Sequence, residues 1–307
     1  MLDVTRLILL RELHMRGSMN AVARALNFSA SAISQQIAQL EREAGSPLIR
    51  HVGRGVQLTP QALVLVEAAA ELANTLERAE TNLQRFHETV RGTVRIAVFQ
   101  SAALALIPTV LHELSVHFPA VRLEMVQKEP AEALQGAWSR EFDLVIAEEY
   151  PAHSAPWLPG LHRATLTSDI ISLAVPADNP ITNLLDAASS AWVMEPVGTA
   201  SRHYAEQTCR RAGFEPDVRF ETADLQAHIR LVESGNAVAL LPGLLWRGRP
   251  SECRFIDLAG HPRRHVFMVT RESGALSPAV NAVQRILLET AGTAPRENLE
   301  SAVDSRD

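Results

Sequence analysis

Ser31, Ser34, Gln35, Ala38, Gln39 and Arg42 fall on one side of a run whose other side carries Ile33, Ile37, Leu40 and Ala44. At about 100° per residue these are opposite faces of one helix. Short hydroxyls and amides on the outer face can bond base edges, and a glutamine can pair bidentately with adenine. The apolar stripe lets the same helix pack on a protein core. Ser29 is placed as an N-cap and Gly45 as a C-terminal stop. Alone, this run would read as a solvated amphipathic helix. Its setting argues otherwise. A shorter helical pattern precedes it (Ala21, Val22, Ala25 and Leu26, with Ser18 as cap), and Asn27-Phe28-Ser29 makes a tight polar break between the two. Helices joined in this way form a helix-turn-helix, whose second member reads the major groove of double-stranded DNA.

The next segment extends that reading. Residues 47–59 read as two short strands around a glycine-flanked basic turn, a wing from which Arg50, His51 and Arg54 can reach phosphates. Residues 1–60 hold seven arginines against Asp3, Glu12, Glu41 and Glu43, a net +3. The whole chain of 307 residues carries −6, so the remainder carries −9. A basic head on an acidic body fits a DNA-reading module joined to a domain with another task. Lys128 is the only lysine, which reflects genomic composition rather than function.

Pro60 is positioned to start a helix, and no Gly or Pro follows until after Glu88. Along it Leu65, Ala69, Leu72, Leu76, Ala79, Leu83 and Phe86 alternate at spacings of four and three, an a/d seam suited to helix pairing. The competing reading is a helix buried on its own domain. Beyond Arg91-Gly92, strands near 93–99, 121–126 and 142–147 alternate with helices near 104–117 and 131–138. That alternation predicts a parallel sheet with helices on its faces. The pattern restarts near 170–175. Helices at about 201–212 and 225–233, strands near 237–241, 254–258 and 265–270, and a last helix at 278–290 complete it. Two α/β lobes invite a cleft between them, where ligands bind at loops leading into helices.

The head sequence SMNAVARALNFSASAISQQIAQLEREAGSPLI with GRGVQLTP resembles the LysR-type transcriptional regulators. So do the body segments TVRIAVF, FDLVIAEE, CRRAGFEP and LVESGNAVALLP, in the same order. The resemblance runs to about residue 291. It implies an α/β protein overall: an N-terminal winged helix-turn-helix (1–59), a long linker and dimerisation helix (60–90), and a two-lobed periplasmic-binding-protein-like effector domain (91–292). Lobe I would take about 91–163 and 266–292, lobe II about 164–265, and 293–307 would be a flexible tail. DNA contacts are expected from Ala30, Ser31, Ser34, Gln35, Gln39, Arg50 and Arg54. The dimer seam would use Leu65, Leu72, Leu76, Leu83 and Phe86. The effector would meet Gln100, Ser101 and Ala102 after the first strand, Glu148, the loop 198–202 with Thr199 and Ser201, and Thr222. Several positions depart from the family pattern: Ala30 for Gln, Gln35 for Arg, Ile49 for Phe, His51 for Arg and Ala62 for Gly. They alter the expected operator sequence, because Gln35 favours a different base from an arginine. Arg50 is the candidate to compensate for His51.

The physics of the cleft loops is consistent with a small carboxylate. Helix-opening loops offer free N–H groups, and Ser101, Thr199 and Ser201 add hydroxyls, although helix capping explains the serines equally well. Glu148 opposes a purely anionic ligand, so an amino-acid-like metabolite satisfies both signs. Arg202 reads as a solvated helix-start residue, and Cys209 as helix packing rather than a redox sensor. No cofactor is expected, and eleven scattered histidines and two distant cysteines give no metal-ligand spacing. His261 and His265 read as an exposed basic turn. An enzyme acting on the cleft ligand is the alternative. Against it, the chain has no GxSxG, HExxH, CxxC or phosphate-cradling glycine loop, so no catalytic residue is assigned. A solute-binding module alone fails on the DNA head and on the lack of a signal peptide. The expected partners are DNA bearing an interrupted inverted repeat, a small-molecule effector, a second copy in a homodimer or homotetramer, and RNA polymerase if the protein activates. No membrane span is foreseen, and the expected compartment is the cytoplasm.

Overall fold

A computed structural model describes residues 1–52, 55–84, 86, 89–246 and 251–292. The chain divides into two units between residues 88 and 89. The first is built from α1 (Val4–Arg16), α2 (Met19–Leu26), α3 (Ala30–Ala44), the antiparallel hairpin β1 (Ile49–Val52) and β2 (Gly55–Leu58), and α4 (Pro60–Gln84). Leu10, Leu13, Val22, Ile33, Ile37, Leu40 and Leu48 are fully buried in its core. Each such side chain contributes about 1.5–3 kcal/mol of burial. Arg54 and the tail from residue 293 lie outside the described residues, as does the side chain of His51.

The seam expected along α4 is divided in two. Ala62, Val66 and Ala69 turn inward on the head's core, so Ala69 belongs to the buried face. Leu72, Leu76 and Leu83 point outward, with Leu76 52% and Leu83 66% exposed, and Phe86 beyond the helix is exposed too. In α2 the buried residues are Val22 and Ala23, while Ala25 faces solvent.

The second unit is mixed α/β. Its main sheet runs β10-β6-β11-β5-β3-β4, with β9 also on β6. β3 (Gly92–Val98) is parallel to β4 (Val121–Gln127) and β5 (Leu144–Glu149). The strands from which a parallel sheet was expected are therefore parallel, but β11 (Arg263–Arg271) lies antiparallel between β5 and β6, which no local pattern announced. β6 (Leu161–Pro176) is sixteen residues long, not the six expected near residue 170. Its first half alternates polar residues such as His162 and Thr165, which masks it as loop in the sequence, and β11 pairs along it. The second half of β6 carries β9 (Ala239–Pro242) and β10 (Cys253–Asp257). One strand is thus common to both lobes. β7 (Ala191–Met194) and β8 (Asp217–Glu221) form a short parallel pair that the sequence pattern did not reveal.

Helices cover both faces of each lobe. In lobe I, α5 (Gln100–His117) and α9 (Pro278–Gly292) pack on Ile96, Val98, Ile146 and Met268, while α6 (Pro130–Trp138) packs on Ala97, Val145 and Phe267. In lobe II, α7 (Ala200–Arg211) covers Leu173, Val175 and Trp192, and α8 (Leu225–Glu233) covers Val193, Ala239 and Leu241. Cys209 is buried in α7, where burial pushes its thiol up to about 12, so it stays protonated at neutral pH.

Candidate functional site

The outer face of α3 is prepared at both ends. Asn27 ends α2 in the left-handed conformation (φ 56°), which an asparagine tolerates. Extended Ser29 then accepts the Ala32 N–H at 3.1 Å, capping α3. Gly45, at φ 65°, closes the helix. With Ile33, Ile37 and Leu40 committed to the core, Ser31, Ser34, Gln35 and Gln36 are left exposed. Ser31 bonds back to the Ser29 hydroxyl at 2.9 Å. Arg6 holds Gln36 at 3.0 Å. Gln39 is half-buried between Arg42, which donates to it at 3.0 Å, and Glu43. Ala30 is half-buried against the core. Among the described residues, the side chains of Ser34 and Gln35 bond to no protein group, so their donors and acceptors remain available. Glu41 accepts the N–H groups of Leu48 (2.7 Å) and Ile49 (3.2 Å), tying the hairpin to α3. Arg50 is exposed on β1.

The expected effector residues gather in the second unit, yet several already have partners. Gln100, Ser101 and Ala102 form the first turn of α5, which starts four residues earlier than its sequence suggests. Gln100 reaches across to α8, donating to Asp224 Oδ1 at 2.8 Å and accepting the Leu225 N–H at 2.8 Å. That bond, ahead of the Gln226 N–H, lowers the Asp224 carboxyl. Ser101 is fully buried and accepts from Arg264 at 2.7 Å. Glu148 lies within β5, not beyond it, and is ion-paired with Arg264. Arg264 also bonds Asp169 at 2.7 and 3.0 Å, and Asp169 in turn accepts the Leu244 N–H at 3.0 Å. Its guanidinium lies 5.1 Å over the Phe99 ring. Burial raises Glu148 more than the guanidinium lowers it, and the Arg264 pKa is raised by its carboxylates despite burial.

Thr199 caps α7, accepting the Arg202 N–H at 3.3 Å, and Ser201 donates to the Thr199 hydroxyl at 3.1 Å. Arg202 is not solvated. It is largely buried and paired with Glu206 and Glu221, and it donates to the Glu195 carbonyl at 3.1 Å. At the α7 N-terminus Thr199 thus takes one of the helix's first N–H groups, that of Arg202. The Thr222 hydroxyl accepts the Asp224 N–H at 3.1 Å, and its carbonyl lies 2.8 Å from His228 Nε2. Burial lowers the pKa of His228, which is neutral at pH 7.

A cavity of about 20 Å³, room for one water, is lined by Tyr150, Met194, Glu195, Ser201, Tyr204 and His228, among others. Burial pushes the Glu195 carboxyl up to about 7, against the lowering bond from Ser201, and the charges of Glu148 and Glu129 add to the rise. Glu195, Arg264, Asp169, Tyr150 and His228 were not singled out from the sequence. One signal existed for Arg264: it shares the two-residue alternation of the buried Val266 and Met268. Among the described residues no cluster of three His, Cys, Asp or Glu could hold a metal ion, and no helix is long and apolar enough to cross a membrane.

A capped helix offering free polar side chains above a basic hairpin, in one chain with a two-lobed α/β ligand-binding fold, defines a DNA-binding regulator with an effector domain. Residues 4–63 match the bacterial regulatory helix-turn-helix protein model of the lysR family, and residues 87–292 match the LysR substrate binding domain. The chain belongs to the LysR family of transcriptional regulators. It is 31% identical over 220 residues to the transcriptional dual regulator GltC of Bacillus subtilis (strain 168), covering 69% of this chain and 71% of that protein. It is 27% identical over 231 residues to the regulator AlsR of the same organism, covering 72% and 74%. In fold it is similar to full-length OxyR from Pseudomonas aeruginosa, with TM-score 0.67, 17% identity and 96% of each chain covered. It is also similar to full-length CbnR in complex with its target DNA, with TM-score 0.53, 17% identity, and 94% and 100% covered.

Proposed function

We propose that this regulator binds an interrupted inverted repeat as a homodimer or homotetramer, in the cytoplasm and without catalysing a reaction. A small carboxylate or amino-acid-like metabolite held between the lobes shifts the population of effector-domain states and so changes promoter occupancy. The observation that carries the DNA half is the outer face of α3, where Ser34 and Gln35 are exposed and unbonded while the opposite face is locked in the core. Ala30, Ser31 and Gln39 flank them, and Arg50 with Arg54 supplies phosphate contacts. Leu65, Leu72, Leu76, Leu83 and Phe86 form the dimer seam, which matches the two-fold symmetry of such operators. The effector site is the cleft around Gln100, Ser101, Ala102, Glu148, Thr199, Ser201 and Thr222. RNA polymerase is a further partner if the protein activates.

The test is selection of binding sites from a random duplex library by the full-length protein at two salt concentrations. A two-fold symmetric motif that weakens steeply with salt supports the reading. Gln35→Ala should relax preference at one base pair per half-site, losing about 1–3 kcal/mol of discrimination there. Sequence-independent binding, unchanged in Ser34→Ala and Gln35→Ala, would overturn the assignment of α3.

A further inference from the structure

The cavity beside α7 is chemically one-sided. Arg202, which lines it, serves the two carboxylates Glu206 and Glu221. Arg264 likewise serves two, Glu148 and Asp169. The α7 N-terminus is capped by Thr199. His228 uses Nε2 on the Thr222 carbonyl. Neither guanidinium nor the imidazole is therefore free to neutralise an incoming anion. Glu195 stands differently: it lines the cavity, and among the described residues its carboxylate has no ion-pair partner. The rings of Tyr150 and Tyr204, 5.4 Å apart, form an aromatic wall beside it, a surface that attracts cations. Ile171, Val193 and Leu240 supply the apolar remainder.

Resting on the reading of the cleft as the effector site, we propose that the effector is a small amine-bearing metabolite. Its ammonium group donates to the Glu195 carboxylate beside Tyr150 and Tyr204, and its apolar part lies along Ile171, Val193 and Leu240. The cavity of about 20 Å³ holds about one water, so its lining opens to admit such a molecule. The bonds from Gln100 to Asp224 and to the N–H of Leu225, a lining residue, tie α5 to that lining and are the contacts such an opening loosens. An ammonium ion also relieves the repulsion that Glu195 feels from Glu148 on β5 and from Glu129, which precedes α6. Arg264 is the opposing charge, and it is already shared. Glu195 is partly protonated near neutral pH, so binding an ammonium releases a proton.

The probes are n-butylamine and pentanoate, which carry the same alkyl tail with opposite charge. Each is titrated by calorimetry into the full-length protein, and operator affinity is measured with each present. The amine is expected to bind, more tightly as pH rises from about 6 to about 8, and to release protons at pH 7 when two buffers of different ionisation enthalpy are compared. Glu195→Gln should weaken it about tenfold or more while leaving the circular dichroism spectrum unchanged. Proton release is read on the native protein alone, so it tests the proposal even if the variant folds poorly. Binding of pentanoate in preference would overturn the amine while preserving the cleft as effector site. Binding of the amine through Glu195 with no change in operator affinity would preserve the ligand class and overturn its regulatory role. Binding of neither probe would overturn the proposal.

Discussion

Between about pH 4.5 and 7 Glu195 holds a proton in the native state that it would lose in the unfolded chain. Its carboxyl titrates near 7 when folded, against 4.5 unperturbed. Between those values the native state binds more protons, so this group's contribution to stability falls as pH rises through that window and stays low above it. Below about pH 4.5 both states are protonated and the difference vanishes. Relative to native protein, Glu195→Gln should therefore gain stability from about pH 4.5 to 7, reaching about 3 kcal/mol. Urea unfolding at pH 5 and pH 8 checks this, and a difference independent of pH would refute it. Gly243 illustrates a tighter constraint. A Cβ there would lie 2.8 Å from Asp169 Oδ1 and 3.3 Å from Ile170 Cγ2. Gly243→Ala must push Asp169 off the Leu244 N–H or off Arg264, at a cost of about 2–3 kcal/mol. An unchanged melting temperature would show that the short 3-10 turn Gly243–Trp246 yields freely.

At the scale of elements, α3 depends on its first turn. Ser29→Ala removes the acceptor for the Ala32 N–H and should cost about 1 kcal/mol, with weaker operator binding, whereas Ser29→Asp should keep both. Thermal melts and titrations with a selected operator give the two readings, and equal loss in the Asp variant would rule out capping as the cause. The ends of α3 were legible because Ser29 and Gly45 carry local signals that act within a few residues. The start of α5 was not. Its N-cap is Phe99, which supplies no side-chain acceptor, and Pro108 sits inside the helix. What fixes that first turn is distant in sequence: Arg264 on Ser101, and the bonds between Gln100 and α8.

For the whole molecule, the outward residues of α4 are the testable feature. Leu76 and Leu83 are exposed and contribute nothing to the head's core, so Leu76→Glu with Leu83→Glu should leave the fold intact. If they form the dimer seam, the double variant should sediment as a monomer and lose operator affinity, because a single half-site forfeits the two-fold contact. An unchanged oligomer would place the interface elsewhere. The helical period alone overstated this seam: Ala69 obeys the same spacing as Leu72 and Leu76 but is consumed by packing on the head.

The helix-turn-helix with its caps, the outer polar face of α3 and the alternation of β3, β4 and β5 with α5 and α6 could be read from sequence, because periodicity, turns and caps act over a few residues, whereas β7, β8 and the first half of β6 could not. The family could be recognised from the same local motifs. The cleft was different. Ser101, Glu148 and Thr199 were expected to share one site, but the partners they hold in the fold were not visible. Arg264 lies 116 residues from Glu148 and 95 from Asp169, on a strand whose antiparallel insertion between β5 and β6 no local pattern encodes. Only the tertiary structure decided that Arg202 and Arg264 are already engaged by carboxylates and that, among the described residues, the Glu195 carboxylate in the cavity has no ion-pair partner. Charge balance in a buried site is a property of neighbours in space, and sequence separation carries no information about it.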